Sequence, residues 1–517
     1  MQTTTVTAAL AFLALPSVAL AQFGDDPSTP AVIAQAASEQ VQPKVVAIPS
    51  GGFYVSWYDN RAGGYDPWVQ RFDADGRGMW PGGGVQIIDT SFSSTEDYGL
   101  TIDAAGNAVV VTRADAGGLR IIAQAVSPEG SLLWGASGVT VSTTSSVNSP
   151  KAGRAGDGAA VAGWTEGNRA QVMRMNADGT KAWSAAATVS DGTATTILSD
   201  LQPGDGDSVI ASVVRYTTFT GAKTLQAQKF SGAGTAQWAS TNVRVFTTGS
   251  LQFGNFPSFI PDGAGGAVFA WYTSSPLQCS VQWVGANGTL KFGTNGATVT
   301  TTTTNNRVDP AVTFDAANQR VWASWSQQVP NTSIFGVGVQ AFNAAGARQL
   351  GDSGAMLAPM ETVYQFVQNR ACMLDGAPTF TFTKSTAFGA DVIYAQALAA
   401  DATPLWASDT PLCGSGSVGR PVLAPMPDSL PWAAVVWEFG GTGAADLLAQ
   451  RLNADGSLGP VAAPPVLGDL NGDSVVNGVD LGILLGAWGS SNAAPDLNED
   501  GVVNGADLGI MLGNWSA

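Results

Sequence analysis

Along most of the chain, apolar and polar residues alternate in short runs that break at Gly, Asn, Asp and Ser. A period of two places successive side chains on opposite faces of an extended chain, so each run predicts a β-strand. The body sustains no helical period. In its first stretch, strands are expected at "KVVAIPS", "GFYVSWY", "PWVQRFD" and "GVQIIDT", with "GG" and "DADG" as turns.

The same stretch then recurs. An alternating strand carries a Gln, a turn Gly follows six residues later, and an aromatic follows four after that. The copies are Gln70-Gly76-Trp80, Gln124-Gly130-Trp134, Met173-Gly179-Trp183, Gln228-Gly234-Trp238, Gln282-Gly288-Phe292, Gln340-Gly346-Leu350, Gln396-Ala402-Trp406 and Gln450-Gly456, the last without its aromatic. Intervals run from 49 to 58 residues. Four short antiparallel strands per roughly 50 residues is the content of one β-propeller blade.

The expected fold is therefore all-β: an eight-bladed β-propeller-like body over 22–463, followed by a small all-α domain over 464–517. Seven blades, or two packed smaller arrays, are the alternatives. The N-terminal stretch around Ala31–Ala36 resembles the passage out of a unit's outer strand, so it is expected to supply the last strand of blade eight and close the ring. A Gln and a Trp needed once per blade are expected to be structural, tying a hairpin or packing neighbouring blades.

Composition narrows the chemistry. Charged residues are only 12%, net charge is −17 and there is no His. The negative charge argues against nucleic acid as a partner. The absence of His removes Ser-His-Asp and Cys-His machinery and His-ligated zinc. Cys279, Cys372 and Cys413 are too few for a disulfide framework; Cys372 and Cys413 either form one bridge or remain buried thiols. Residues 1–21 read as a signal peptide, with the apolar "AALAFLALPSVAL" ahead of Ala19-Leu20-Ala21. Its first residues, "MQTTTVT", carry no Lys or Arg. No later run is long enough to span a bilayer, so a secreted, extracellular or cell-surface protein is expected.

The tail changes the picture most. "DLNGDSVVNGVDLGILLGAWG" and "DLNEDGVVNGADLGIMLGNWS" repeat one acidic segment. The first copy puts Asp469, Asn471, Asp473, Asn477 and Asp480 at loop positions 1, 3, 5, 9 and 12; the second puts Asp496, Asn498, Asp500, Asn504 and Asp507 there. These are the oxygen-ligand positions of an EF-hand, with Val475 and Val502 offering carbonyls at position 7. Position 6 is Gly501 in the second loop but Ser474 in the first, and position 12 is Asp rather than Glu. Seven acidic residues and no Lys or Arg lie from Val466 onward, so two Ca²⁺ ions are expected, with folding and binding coupled. Helices are expected at Leu481–Trp488 and Leu508–Trp515, and prolines ahead of each loop exclude an entering helix.

This segment resembles a type I dockerin, which pairs two loop–helix half EF-hands. The resemblance implies a cohesin-like partner or cell-surface scaffold, with contacts carried by Gly478-Val479 and Gly505-Ala506 at loop positions 10 and 11. Those pairs, and helices without Lys or Arg, depart from the Ser-Thr-like pair and basic residues of the family's contact surface. The turns "DADG" and "NADG" followed by Trp also resemble the Asp-box of sialidases, with the Trp one residue further on. Three functions follow. The first is a secreted non-catalytic propeller that binds a ligand or glycan and is attached through its dockerin. The second is a carbohydrate-active enzyme of the O-glycosyl hydrolase type with paired Asp/Glu, for which Asp59, Asp115, Glu166 and Glu438 are candidates. The third is a structural or adhesive surface protein.

Overall fold

The computed structural model describes residues 22–144, 146–239, 241–386, 389–460, 467–471, 475–492 and 494–515. The expected signal segment 1–21 and the loop residue Asp473 lie outside these. The chain divides into two compact units, the first ending at Gly459 and the second beginning at Pro460.

The described residues of the first unit form eight four-stranded antiparallel sheets. Blade one is Gln40–Ala47, Phe53–Asp59, Asp66–Phe72 and Val85–Gln86, in that order. Blades two to seven repeat it. Blade eight takes Val418–Pro425, Trp432–Phe439 and Asp446–Asn453 from the end of the body, and its fourth strand is Ala31–Ala34. Ala31 pairs opposite Ala449. The first strands of adjacent blades touch, those of blades one and eight included, so they line the axis of a closed ring. Eight blades, rather than seven or two smaller arrays, are what the chain builds.

Two strand expectations differ from the structure. The second strand of blade one is buried at every position, because a mid-sheet strand is covered on both faces by neighbouring blades and alternation loses its meaning there. The first strand begins at Gln40, four residues before the expected start, by crossing a β-bulge between Val41 and Lys44. The same interruption recurs in blades three, six, seven and eight, with Gln42, Ser149, Asp309, Gln368 and Arg420 at φ of 44 to 59°. Proline follows in four of the five (Pro43, Pro150, Pro310, Pro421), where the missing ladder N–H costs nothing.

The recurring Gln, Gly and Trp form one latch. Trp80 donates its backbone N–H to Gln70 Oε1 (3.1 Å), and Gln70 Nε2 donates back to the Trp80 carbonyl (2.9 Å). The equivalent bond to Gln Oε1 recurs at Gln124, Gln228, Gln282, Gln340 and Gln396. The aromatic thus fixed reaches into the next blade. Trp80, Trp134, Trp183, Trp238 and Trp406 donate Nε1–H to a carbonyl there at 2.7–3.0 Å. Each ring also lies on the turn glycine of that blade, at φ of 79–88°, where a Cβ would stand 2.6–3.1 Å from the ring. Only glycine accepts both constraints.

Two units that drift from the pattern are explained by their neighbours. Unit seven turns on Ala402, and the residue arriving from blade six is Leu350 rather than an aromatic; both pack on one cluster. Unit eight has no aromatic of its own. Phe23 takes that place: it packs on Gly76 of blade one, and its backbone N–H donates to the Asp75 carbonyl at 2.9 Å.

The three cysteines are buried free thiols, so the Cys372–Cys413 bridge is not formed. Burial pushes the Cys372 thiol up to about 12 and the Cys413 thiol up to about 11. The second unit contains two helices, α1 (Gly478–Gly486) and α2 (Gly505–Gly513), around a small core of Val476, Leu484, Val503 and Met511. No helix among the described residues is long and apolar enough to cross a membrane.

Candidate calcium loops and the axial cavities

Both helices begin three residues earlier than expected, and the reason lies in the loops. Asn477 and Asn504, at loop position 9, are N-caps that accept from Val479 N and Ala506 N at 2.8 Å. Asp480 and Asp507, at position 12, fall on N3 and complete a capping box, accepting from Asn477 N (2.9 Å) and Asn504 N (2.8 Å). The last quarter of each loop is therefore already helix.

Asp507 does more than cap. Its Oδ1 also accepts the N–H groups of Leu497 (2.8 Å) and Asn498 (3.1 Å), folding the start of the loop onto its end. Asp480 repeats this with Leu470 (2.9 Å) and Asn471 (3.1 Å). Both side chains are fully buried. The Asn504 and Asn477 backbone N–H groups are the main influence holding these carboxyls below the usual carboxylate range.

The other second-loop positions converge. Asp500 N donates to Asp496 Oδ1 and Asn498 Oδ1, both at 3.1 Å, and Gly501 N to Asp496 Oδ2 at 2.7 Å. Asn498 Nδ2 and Asn504 Nδ2 reach Asp500 Oδ2 at 2.9 and 3.3 Å, and Asn504 Nδ2 reaches the Val502 carbonyl at 2.9 Å. Gly501 turns the chain at φ +89°. Positions 1, 3, 5, 7 and 9 thus gather oxygens from carboxylates, amides and backbone. Carboxylates alone do not form a cluster of three among the described residues; the other candidate oxygens are those of amides and the backbone. In the first loop, Asn477 Nδ2 approaches the Val475 carbonyl at 3.3 Å in the same way. Buried anionic side chains, an all-oxygen donor set and a segment without a basic residue fit a hard divalent cation such as Ca²⁺.

Residues 467–512 match the family model of the dockerin type I domain. No curated protein matches the chain. Among solved structures, an ulvan lyase described as a new family of polysaccharide lyase shares 11% identity at TM-score 0.43, covering 85% of this chain and 96% of that one. The Dos1 propeller shares 10% identity at TM-score 0.45, with 82% and 95% covered. Prolyl oligopeptidase B from Galerina marginata shares 11% at 0.42, with 78% and 56% covered. Likeness of that order says nothing about activity.

On the dockerin, Gly478, Val479, Gly505 and Ala506 are all exposed. Around them the surface is apolar: Val479, Ile483, Leu485 and Trp488 on and after α1, and Leu512 and Trp515 at the end of α2, are exposed. The two short core residues that hold the loops together, Val476 and Val503, had a visible sequence signal: both copies carry Val at position 8.

The propeller's candidate carboxylates are held by separate partners. Asp59 accepts from Trp57 Nε1 (3.1 Å) and twice from Arg61 (2.8 and 2.5 Å). Glu166 accepts from Trp164 Nε1 (3.0 Å) and Ser142 Oγ (2.7 Å). Asp115 holds the Ser91 backbone and hydroxyl. Glu438 meets Arg420 at 3.0 Å and takes the Gln42 N–H at 2.7 Å across the seam between blades eight and one. In blade three the bulge N–H, that of Ser149, goes to Glu96 at 2.6 Å. Glu438 and Glu96 thus each satisfy a bulge in the neighbouring blade.

Sequence inspection missed the axis. Two cavities open among the first strands, of about 650 and 360 Å³. The larger holds Asp97 between Lys44 Nζ, at 2.6 Å, and Lys151 Nζ. Burial opposes ionisation of Asp97, but the two ammonium groups overcome it and hold the carboxyl at about 2. Because the folded value lies below the unfolded one, Asp97 stabilises the fold above the ordinary carboxylate range, and this contribution is lost as pH falls through about 2. Its side chain is 44% exposed, so solvent screening reduces the gain to about 1 kcal/mol. Urea unfolding of Asp97→Asn should show that deficit at pH 7, and the gap to the parent should narrow as pH drops below 4. A gap unchanged with pH would mean that the triad's charge plays no part.

Proposed function

We propose that this chain is an extracytoplasmic binding module: a rigid propeller that presents its axial cavities to a ligand or glycan, and a dockerin that fastens it, through two calcium ions, to a cohesin-bearing scaffold or cell surface. The observation that carries the attachment is the second loop, whose oxygen-bearing side chains interlock above buried Asp507, together with Asp480 buried in the same way in the first, in a segment with no basic residue. Asp469, Asn471, Asp473, Val475, Asn477 and Asp480 are assigned to one ion, and Asp496, Asn498, Asp500, Val502, Asn504 and Asp507 to the other. The domain division 22–463 and 464–517 belongs to the same reading.

The exposed apolar residues around Val479 and Trp488 favour a cohesin face that is itself apolar at its centre. For the body, the separate engagement of Asp59, Asp115, Glu166 and Glu438 supports binding over paired-carboxylate hydrolysis. The test uses the full mature chain immobilised against a panel of cohesin modules, with and without EDTA. Capture that needs calcium and falls at least tenfold when Val479 is replaced by Asp is the expected result. Capture indifferent to EDTA would refute the attachment. A parallel assay for reducing ends released from polysaccharides decides between binding and hydrolysis.

A further inference from the structure

The smaller axial cavity lies between the first strands of blades five, six and seven. It is lined by a fully buried amide that carries a polar atom without a partner. Asn369, 1% exposed, has no donor for its Oδ1, whereas the Trp271 indole turns away from the axis, 5.4 Å from Phe246 and against the outer-strand turn at Gly296. Buried donors and acceptors are almost always satisfied, by protein, water or ligand. Here the amide of Asn369 borders a cavity of about 360 Å³, enough for a sugar ring.

Arg370 borders the same cavity. Its Nη1 donates to the Asn369 carbonyl at 2.7 Å, and it makes no ion pair among the described residues. The nearby Asp309 carboxylate is committed to Asn369, accepting from its N (2.8 Å) and Nδ2 (3.3 Å). Burial works against the Arg370 charge, with Asp309 a smaller opposing influence. A half-buried guanidinium with spare donors is suited to a planar carboxylate. Lys44 and Lys151 in the larger cavity are different, since both are taken by Asp97.

Phe256 supplies the apolar side. It is 46% exposed and lines both cavities. An exposed aromatic, a guanidinium with spare donors and an orphan acceptor around one cavity match a ring with one apolar face, hydroxyls at its edge and one negative charge. We propose that this cavity binds an acidic sugar residue of the uronate type, its carboxylate on Arg370 and its apolar face on Phe256. The larger cavity, which shares Phe256, would take the neighbouring sugar of an oligosaccharide. This inference rests on the reading of the propeller as a glycan binder and names the class of glycan.

Calorimetric titration of the full chain tests it, with trigalacturonate, its carboxyl-reduced neutral counterpart and a sulfated disaccharide as probes. The acidic trimer should bind, and the neutral one should bind about tenfold more weakly or worse, as expected for the loss of a charge-assisted hydrogen bond. Arg370→Gln and Phe256→Ala should each weaken the acidic trimer about tenfold, Arg370→Lys less, and Lys44→Gln little. Thermal melts of each variant identify any loss of fold. Equal binding of the acidic and reduced trimers, or an unaffected Arg370→Gln, overturns the acidic-sugar site while leaving a glycan-binding propeller in place. Preference for the sulfated probe overturns the carboxylate assignment. If none of the sugars binds, the glycan reading fails as well, and attachment through the dockerin stands or falls on its own assay.

Discussion

Asp507→Asn should weaken calcium binding at the second loop by roughly 10- to 100-fold, the usual scale for loss of a supporting or ligating group at a metal site. The substitution keeps volume but turns one acceptor oxygen into a donor. Asp507 uses both oxygens, accepting N–H groups from Leu497, Asn498 and Asn504, so an amide facing three donors can satisfy only part of them. It also removes one of the charges that calcium is there to balance. Titration of the full chain should therefore give one site of parental affinity and one much weaker. The dockerin should also become sensitive to protease at calcium concentrations that protect the parent, since the metal stabilises only the folded form. Asp480→Asn should reproduce the effect in the first loop. Two sites of undiminished affinity would remove Asp507 from the calcium machinery and leave it as a helix cap.

The second large effect concerns closure of the ring. Phe23 is 3% exposed, stacks on Phe53 with centroids 5.9 Å apart, meets Trp432 edge-on at 6.2 Å and lies on Gly76. Phe23→Ala should cost about 3–5 kcal/mol, the range for truncating a buried Phe, read as a shift in urea midpoint with unchanged slope. Phe23→Trp, which restores the aromatic used at most other seams, should recover part of the loss. A penalty under about 1 kcal/mol would mean that the strand Ala31–Ala34 closes the ring without help from this residue.

Where the latch repeats, it was legible in the sequence, because each blade solves one problem with one set of residue types. Its eighth instance was hidden for a simple reason: Phe23 stands at the opposite end of the chain from the unit it completes. The inner-strand bulges were hidden too, since Pro43, Pro150, Pro310 and Pro421 read as strand breaks until a bulge is seen to absorb them. The dockerin was legible because spacing along one loop specifies its candidate ligand positions, and those of the second loop are hydrogen-bonded to one another. The early start of α1 and α2 was not, since Asp480 and Asp507 act as loop and helix at once. The axial cavity was least legible. Phe256 comes from one unit and Asn369 and Arg370 from another, and nothing periodic links them.

The closing strand has a consequence in time. Gln450 donates to the carbonyl of Asp26, 424 positions away in sequence, and the partners of Ala31–Ala34 are made equally late. At ordinary rates of synthesis the first-made strand waits on the order of 20–80 s for the last blade to appear. Throughout that interval it exposes an open edge. A chain cut short within blade eight keeps that edge for good, so ring closure marks complete molecules from incomplete ones and leaves the incomplete ones open to proteases and aggregation.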